Sequence, residues 1–230
     1  ALMFEPEASL EVLCDDPNAA FASADGAALA SGANRLLVGE EVAQFMQAVP
    51  LGAGRWRLAG LLRGRGASEA EARAGHAAGT RVCLLDDRLH LVDGAAFDPA
   101  TERLAAIGGA DPAPVYAAVR APGRARRPLA PVHPVASLAP GGGLTLEWTR
   151  RARGAWAWRD GVDVPLVEEV ERYEVGAGAA DGPLALWPVA APALMLAAGD
   201  LALLPAGTQL WVRQIGSHAR SRELPLYRLP

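Results

Sequence analysis

Lysine is missing from this chain: all 22 of its basic residues are arginine. With the abundance of alanine, glycine and proline, this is a codon bias pointing to a GC-rich bacterial genome and carries no mechanism. Cysteine is nearly missing too. Cys14 and Cys83 lie far apart with no metal-ligand spacing, which excludes a disulfide framework. Two buried thiols are the plain expectation, with a single bridge left open. No apolar run reaches the roughly 18 residues of a membrane helix, since the longest, Ala190 to Leu204, contains Pro192 and Asp200. Membrane insertion is therefore not expected. Nor is there an excess of charge: a net −4, with 51% apolar and 21% charged residues, is ordinary for a globular protein and argues against a nucleic-acid partner. An initiator methionine and a leader pattern are lacking at Ala1-Leu2-Met3-Phe4, so the expectation is a piece of a longer polypeptide.

Signatures of catalysis are equally scarce. His76, His90, His133 and His218 stand apart from one another and from the cysteines, without the short ligand spacings of a metal site. Gly-x-Ser-x-Gly elbows, phosphate loops, dinucleotide fingerprints and His-Glu-x-x-His do not occur. The acidic clusters Asp15-Asp16, Asp86-Asp87 and Glu168-Glu169-x-Glu171 read as turns and a solvated strand edge, because paired glycosidase carboxylates must converge across a cleft. Arg63-Gly64-Arg65-Gly66 could cradle phosphate through amides and guanidiniums, but a tight turn into a helix explains it more simply. No catalytic, cofactor-binding or metal-binding residue is assigned, and no cofactor is expected.

What the chain does have is strand-like alternation between well-marked turns, which predicts a mainly β fold. At 230 residues, two domains are the better expectation. Predicted strands in the first half are 10–14, 35–38, 42–49, 55–62, 80–85, 88–92 and 115–120. In 55–62, Trp56, Leu58 and Leu62 share one face, while Arg55, Arg57 and Ala59 share the other. Ser68 and Glu71 form a capping box for a helix over about 69–76. Asp86-Asp87 is placed to turn 82–85 back onto 89–92 as a hairpin.

Pro122, Pro128, Pro131, Pro134 and Pro140 then predict an extended linker, dividing the chain near residue 130 into domains 1–130 and 131–230. Beyond it, strands at 144–150, 155–159, 172–176, 184–187, 193–196, 209–216 and 223–229 suit a β-sandwich. The first domain is expected to be meander-like or barrel-like. Trp148, alternating with Leu144 and Leu146, is expected in the sandwich core. Trp156 and Trp158 alternate with alanine, and either face is open to them.

The run Gly54-Arg-Trp-Arg-Leu-Ala-Gly-Leu-Leu-Arg-Gly-Arg-Gly66, with Gly75-His-Ala-Ala-Gly79 and Val82-Cys-Leu-Leu-Asp86, resembles a stretch of the tail-tip hub proteins of phages and gene transfer agents. Leu144-Thr-Leu-Glu-Trp-Thr-Arg-Arg151, Val164-Pro-Leu166, Glu171-Arg-Tyr-Glu-Val175 and Val212-Arg-Gln-Ile-Gly216 resemble the C-terminal part of the large gene-transfer-agent baseplate protein. One departure is Ala67-Ser68, where the resemblance leads one to expect Gly-Thr. The second half also resembles a fibronectin type III domain. These likenesses imply a non-enzymatic component of a virion tail, assembled in the bacterial cytoplasm and acting outside it. Its partners would be other tail-tip or baseplate proteins, with host-surface glycan as a further expectation. Two rival readings stand beside this one: a carbohydrate-binding accessory module stacking sugars on Trp156, Trp158 or Trp187, and a fragment of a polysaccharide hydrolase. A tail component should also expose an apolar or arginine-rimmed patch on its first domain.

Overall fold

The computed structural model describes residues 3–16, 19–90, 98, 100–118, 123, 126–154, 156–157 and 164–230. The fold is mainly β, as the alternation predicts. Five antiparallel strands form the first sheet: β1 (Met3–Leu13), β2 (Arg35–Val38), β3 (Glu41–Gly52), β4 (Arg55–Arg65) and β5 (Val82–Leu84), in the order β1-β4-β3-β2-β5. Two-residue turns build its central meander. Gly39, at φ +57°, opens the β2–β3 turn. Ala53 and Gly54, at φ +52° and +72°, make the β3–β4 turn, a connection whose twist suits a hairpin.

Val12, Leu36, Val38, Phe45, Leu58 and Leu61 form the core of this sheet. Phe21 closes it edge-on against Phe45 and Trp56, with ring centroids 5.8 and 5.5 Å apart. Strict alternation along β4 assigns Leu62 to this cluster; instead Leu61 joins Leu58 there. Gly60 lies between them at φ +66° and breaks the period of two. Leu62 is buried all the same.

The short helix α1 (Gly26–Ala30) has an Asp25 side chain accepting from the Ala28 amide at its start. Buried Gln44 of β3 donates to the carbonyls of Leu29 and Ala33, tying α1 to the sheet. The helix α2 (Glu69–Ala74) falls where predicted, but the capping box does not form. Ser68 turns away, donating to the Arg65 carbonyl and accepting from the Val42 amide, so its hydroxyl joins β3 to β4's end. Of the expected hairpin between 82–85 and 89–92, β5 pairs with β2, Asp86–Arg88 forms a local turn, Leu89 and His90 lie in no strand, and residues 91 and 92 lie outside the described residues. Both cysteines are free, Cys14 half-buried and Cys83 exposed, so neither the bridge nor a pair of buried thiols is found.

Among the described residues, the strands β6 (Arg103–Ala106) and β7 (Val115–Ala118) pair only with each other. Every residue in both is exposed. The predicted 115–120 strand ends at Ala118 within the described residues.

The remaining strands make a sandwich. One sheet has the order β12-β9-β8 and the other β11-β10-β13-β14. They are β8 (Val132–Leu138), β9 (Leu144–Thr149), β10 (Tyr173–Ala179), β11 (Gly182–Val189), β12 (Ala193–Leu196), β13 (Gln209–Gln214) and β14 (Leu224–Arg228); a short helix, α3 (Ala198–Ala202), follows β12. Leu144, Leu146 and Trp148 from one sheet meet Tyr173, Val175, Ala177, Leu210 and Val212 from the other in a single core. Trp148 is 5% exposed and meets Tyr173 edge-on at 5.3 Å, which makes it the core residue its alternation implies. Part of the expected proline linker is in fact β8. An edge strand tolerates proline because its outward amides need no ladder partner, and here His133 at φ +51° and a shift in register accommodate Pro134. The predicted 155–159 strand is not found at Trp156 and Ala157, and its other residues lie outside those described.

Candidate functional site

Three features stand out: two arginine clusters at the C-terminal end of β4, and the bare β6–β7 hairpin. In the first cluster, Glu41 at the start of β3 is fully buried. Arg63 grips it with two hydrogen bonds of 2.6 and 2.7 Å, the Gly64 amide donates at 3.0 Å, and His76 Nε2 lies 2.6 Å from it. Arg63 also reaches Glu5 of β1 and the Ala72 carbonyl of α2. Burial pushes the Glu41 carboxyl up, but the hydrogen bonds from Arg63, His76 and Gly64 outweigh it, and its pKa lies below the ordinary value. A carboxylate so fully engaged holds β1, β3, β4 and the end of α2 together and has no lone pair turned to an open cleft. No local motif announces Glu41; the pairing depends on β3 and β4 lying side by side.

In the second cluster, the guanidiniums of Arg35 and Arg65 lie 5.1 and 5.7 Å from the centre of the Trp156 ring. Arg65 donates to the Trp156 carbonyl. Gly66, at φ +61°, leaves room for the indole, since a Cβ there would stand a tight 3.3 Å from it, and a Cβ on Gly32, at φ +97°, would come within 2.7 Å of the Trp156 Cβ. Two ion pairs flank this contact: Glu69 of α2 with Arg151 at 2.6 Å, and Glu71 of α2 with Arg222 at 2.8 Å. The expected turn over Arg63–Gly66 is corrected: Arg63, Gly64 and Arg65 are the last residues of β4, which the left-handed Gly64 lets continue as strand, and the turn into α2 begins only at Gly66.

The acidic clusters divide. Asp86 is a half-buried turn residue paired with Arg88. Glu168 departs from the solvated-edge expectation: it is buried, accepts from Arg153 and from the Ser217 amide, and so pins two loops. Glu171 takes the Tyr173 hydroxyl. An open groove of about 330 Å³ beside β10 and β11 is lined by Arg172, Tyr173, Glu174, Pro188, Val189, Ala190 and Ile215. Its single carboxylate, Glu174, is paired with Arg213 and Arg220, so this groove offers no second acid for glycosidase chemistry. Among the described residues no group of three or more His, Cys, Asp or Glu side chains is arranged to hold a metal ion.

Of the three tryptophans considered for sugar stacking, Trp156 is occupied by arginines and Trp187 packs against the sandwich core. Trp158 lies outside the described residues. Large exposed apolar side chains gather instead on and beside the β6–β7 hairpin: Leu104, Ile107, Val115 and Tyr116 are 39, 63, 71 and 63% exposed. Sequence reading located β7 but missed β6, whose four residues carry too little alternation to register.

A family model described as "Rcc01698-like, C-terminal" matches residues 1–83, from the chain's start to the middle of β5. The chain is similar to that family over its first sheet. No curated protein matches the chain.

Proposed function

We propose that this chain is a structural component of the tail tip, or baseplate hub, of a phage or gene transfer agent, acting through protein–protein contacts. The reading rests above all on Gly54–Leu85. The stretch that resembles tail-hub proteins builds β4, α2 and β5 and falls almost wholly within the segment matched by the family model. Its polar side chains brace the sheet. The hairpin supports the same reading from a different side, because β6 and β7 have no further partner strand among the described residues, two strands alone are at best marginally stable in water, and exposed apolar strands invite pairing with another chain. The strand orders β12-β9-β8 and β11-β10-β13-β14 support a fibronectin type III-like sandwich serving as a spacer or host-attachment module.

Tail particles from the source, carrying an epitope on the C-terminal strand, test the reading. The expected result is antibody label at the distal end of the tail and loss of infectivity or gene transfer when the gene is disrupted. Unlabelled tails with full activity after disruption would remove it. Replacing residues 103–118 with a short Gly-Ser loop is expected to leave the melting temperature of the isolated protein within about 2 °C, since no core residue is lost, while abolishing incorporation into tails.

A further inference from the structure

Arg63, Arg150, Arg151, Arg153 and Arg213 have side chains no more than 24% exposed, and each has a carboxylate within 4.0 Å: Glu41, Glu171, Glu69, Glu168 and Glu174. Arg35 and Arg65 break this pattern. Arg65 is 95% buried, with 5% exposure, yet no carboxylate among the described residues pairs with it or with Arg35. The Nε atoms of both are buried without a hydrogen-bond partner. Isolated buried charge is strongly unfavourable unless paired, and the second guanidinium adds like-charge repulsion. A shared indole face returns only about 0.5–2 kcal/mol per cation. Burial first and the neighbouring Arg35 second pull Arg65 below its ordinary pKa, whereas the Glu41 hydrogen bond raises Arg63. Arg35 and Trp156 are both half-buried, so one side of the cluster meets solvent.

We propose that Arg35 and Arg65, beside the Trp156 indole, form a binding site for a small oxyanion, a carboxylate or a phosphate. Two guanidinium forks present parallel N–H donors matched to such oxygens, and one bound anion supplies the counter-charge that the other buried arginines obtain from glutamate. The inference is independent of the tail assignment.

Thermal unfolding of the full chain in sodium phosphate, sodium acetate and sodium chloride, at matched ionic strength and pH, tests it. A ligand held only by the folded state raises the melting temperature with saturation. The expected result is a saturable rise of several degrees in phosphate, acetate or both, relative to chloride. Phosphate alone would indicate a tetrahedral ligand and acetate alone a planar one. Arg35→Gln should weaken the response at least tenfold. Arg35→Lys, which keeps the charge but loses the fork and so preserves the folded state most closely, should weaken it several-fold. Identical melting in the three salts, or an undiminished response in both variants, would overturn the site. Asp160 and Asp163 follow Trp156 in the sequence; if anions stabilise only an Asp160→Asn/Asp163→Asn variant, the chain neutralises its own arginines and the proposal falls.

Discussion

Arg63 and Arg65 leave the same strand two positions apart, and their surroundings differ completely. Arg63 meets a fully buried carboxylate, a backbone carbonyl and a second carboxylate, Glu5 of β1. Arg65 meets a backbone carbonyl, an indole face and another arginine. Gly64, at φ +65°, separates them and breaks the alternation that would place both on one face. The contrast shows how a buried arginine can serve either as half of a structural clamp or as charge held without a carboxylate among the described residues.

The comparison breaks first at Arg63. Arg63→Met strands the buried Glu41 charge and is expected to cost about 3–5 kcal/mol, read from chemical denaturation; a loss under about 1 kcal/mol would show that the clamp adds little to stability. Acid sharpens the same contrast. Because the folded pKa of Glu41 lies below its unfolded value of 4.5, its stabilisation is complete above 4.5 and fades as pH falls through the lowered folded value. Glu168, where Arg153 and the Ser217 amide outweigh burial, shifts in the same direction. The Glu41 share is thus the difference in acid sensitivity between wild type and Arg63→Met, and equal slopes would contradict it.

Ala67 sits at φ +68° in the turn leaving Arg65. Ala67→Gly should stabilise by about 1 kcal/mol, since only glycine holds that conformation without strain from a Cβ; an unchanged or lower melting temperature would refute this. The smallest effect is expected at Arg65 itself. Arg65→Met in chloride buffer removes a charge without stranding another, and should change stability by no more than about 1 kcal/mol in either direction. A loss as large as that at Arg63 would erase the distinction between the two clusters.

Legibility in the sequence followed the range of the interactions. The strands at 35–38 and 193–196 were visible to the residue, because period-two burial is written locally. The sandwich core around Trp148 was readable for the same reason. β8 stayed hidden because proline argues against a central strand, and only the assembled sheet reveals that this strand is an edge. Ser68 and Glu71 have the spacing of a capping box, yet the Ser68 hydroxyl found the Val42 amide, 26 positions away. The pairing of β5 with β2 is equally hidden, since it reaches across the intervening meander. Glu41 and Arg35 give no local signal, and Trp156 gives none of its arginine contacts: each acquires its role from a side chain distant in sequence.

The Glu41–Arg63 clamp also bears on the order of assembly. Joining its two partners closes a loop of 22 residues, whereas the Arg63–Glu5 contact that fastens β1 spans 58. Closure entropy grows with the logarithm of that separation, so the longer connection costs about 0.9 kcal/mol more, and rates of formation fall as contacts become less local. The β2–β3–β4 meander, with its buried ion pair, is thus expected to form in the folding transition state, with β1 docking afterwards along β4. Kinetic φ-values should be high for substitutions at Phe45 and Leu58 and low for Val12.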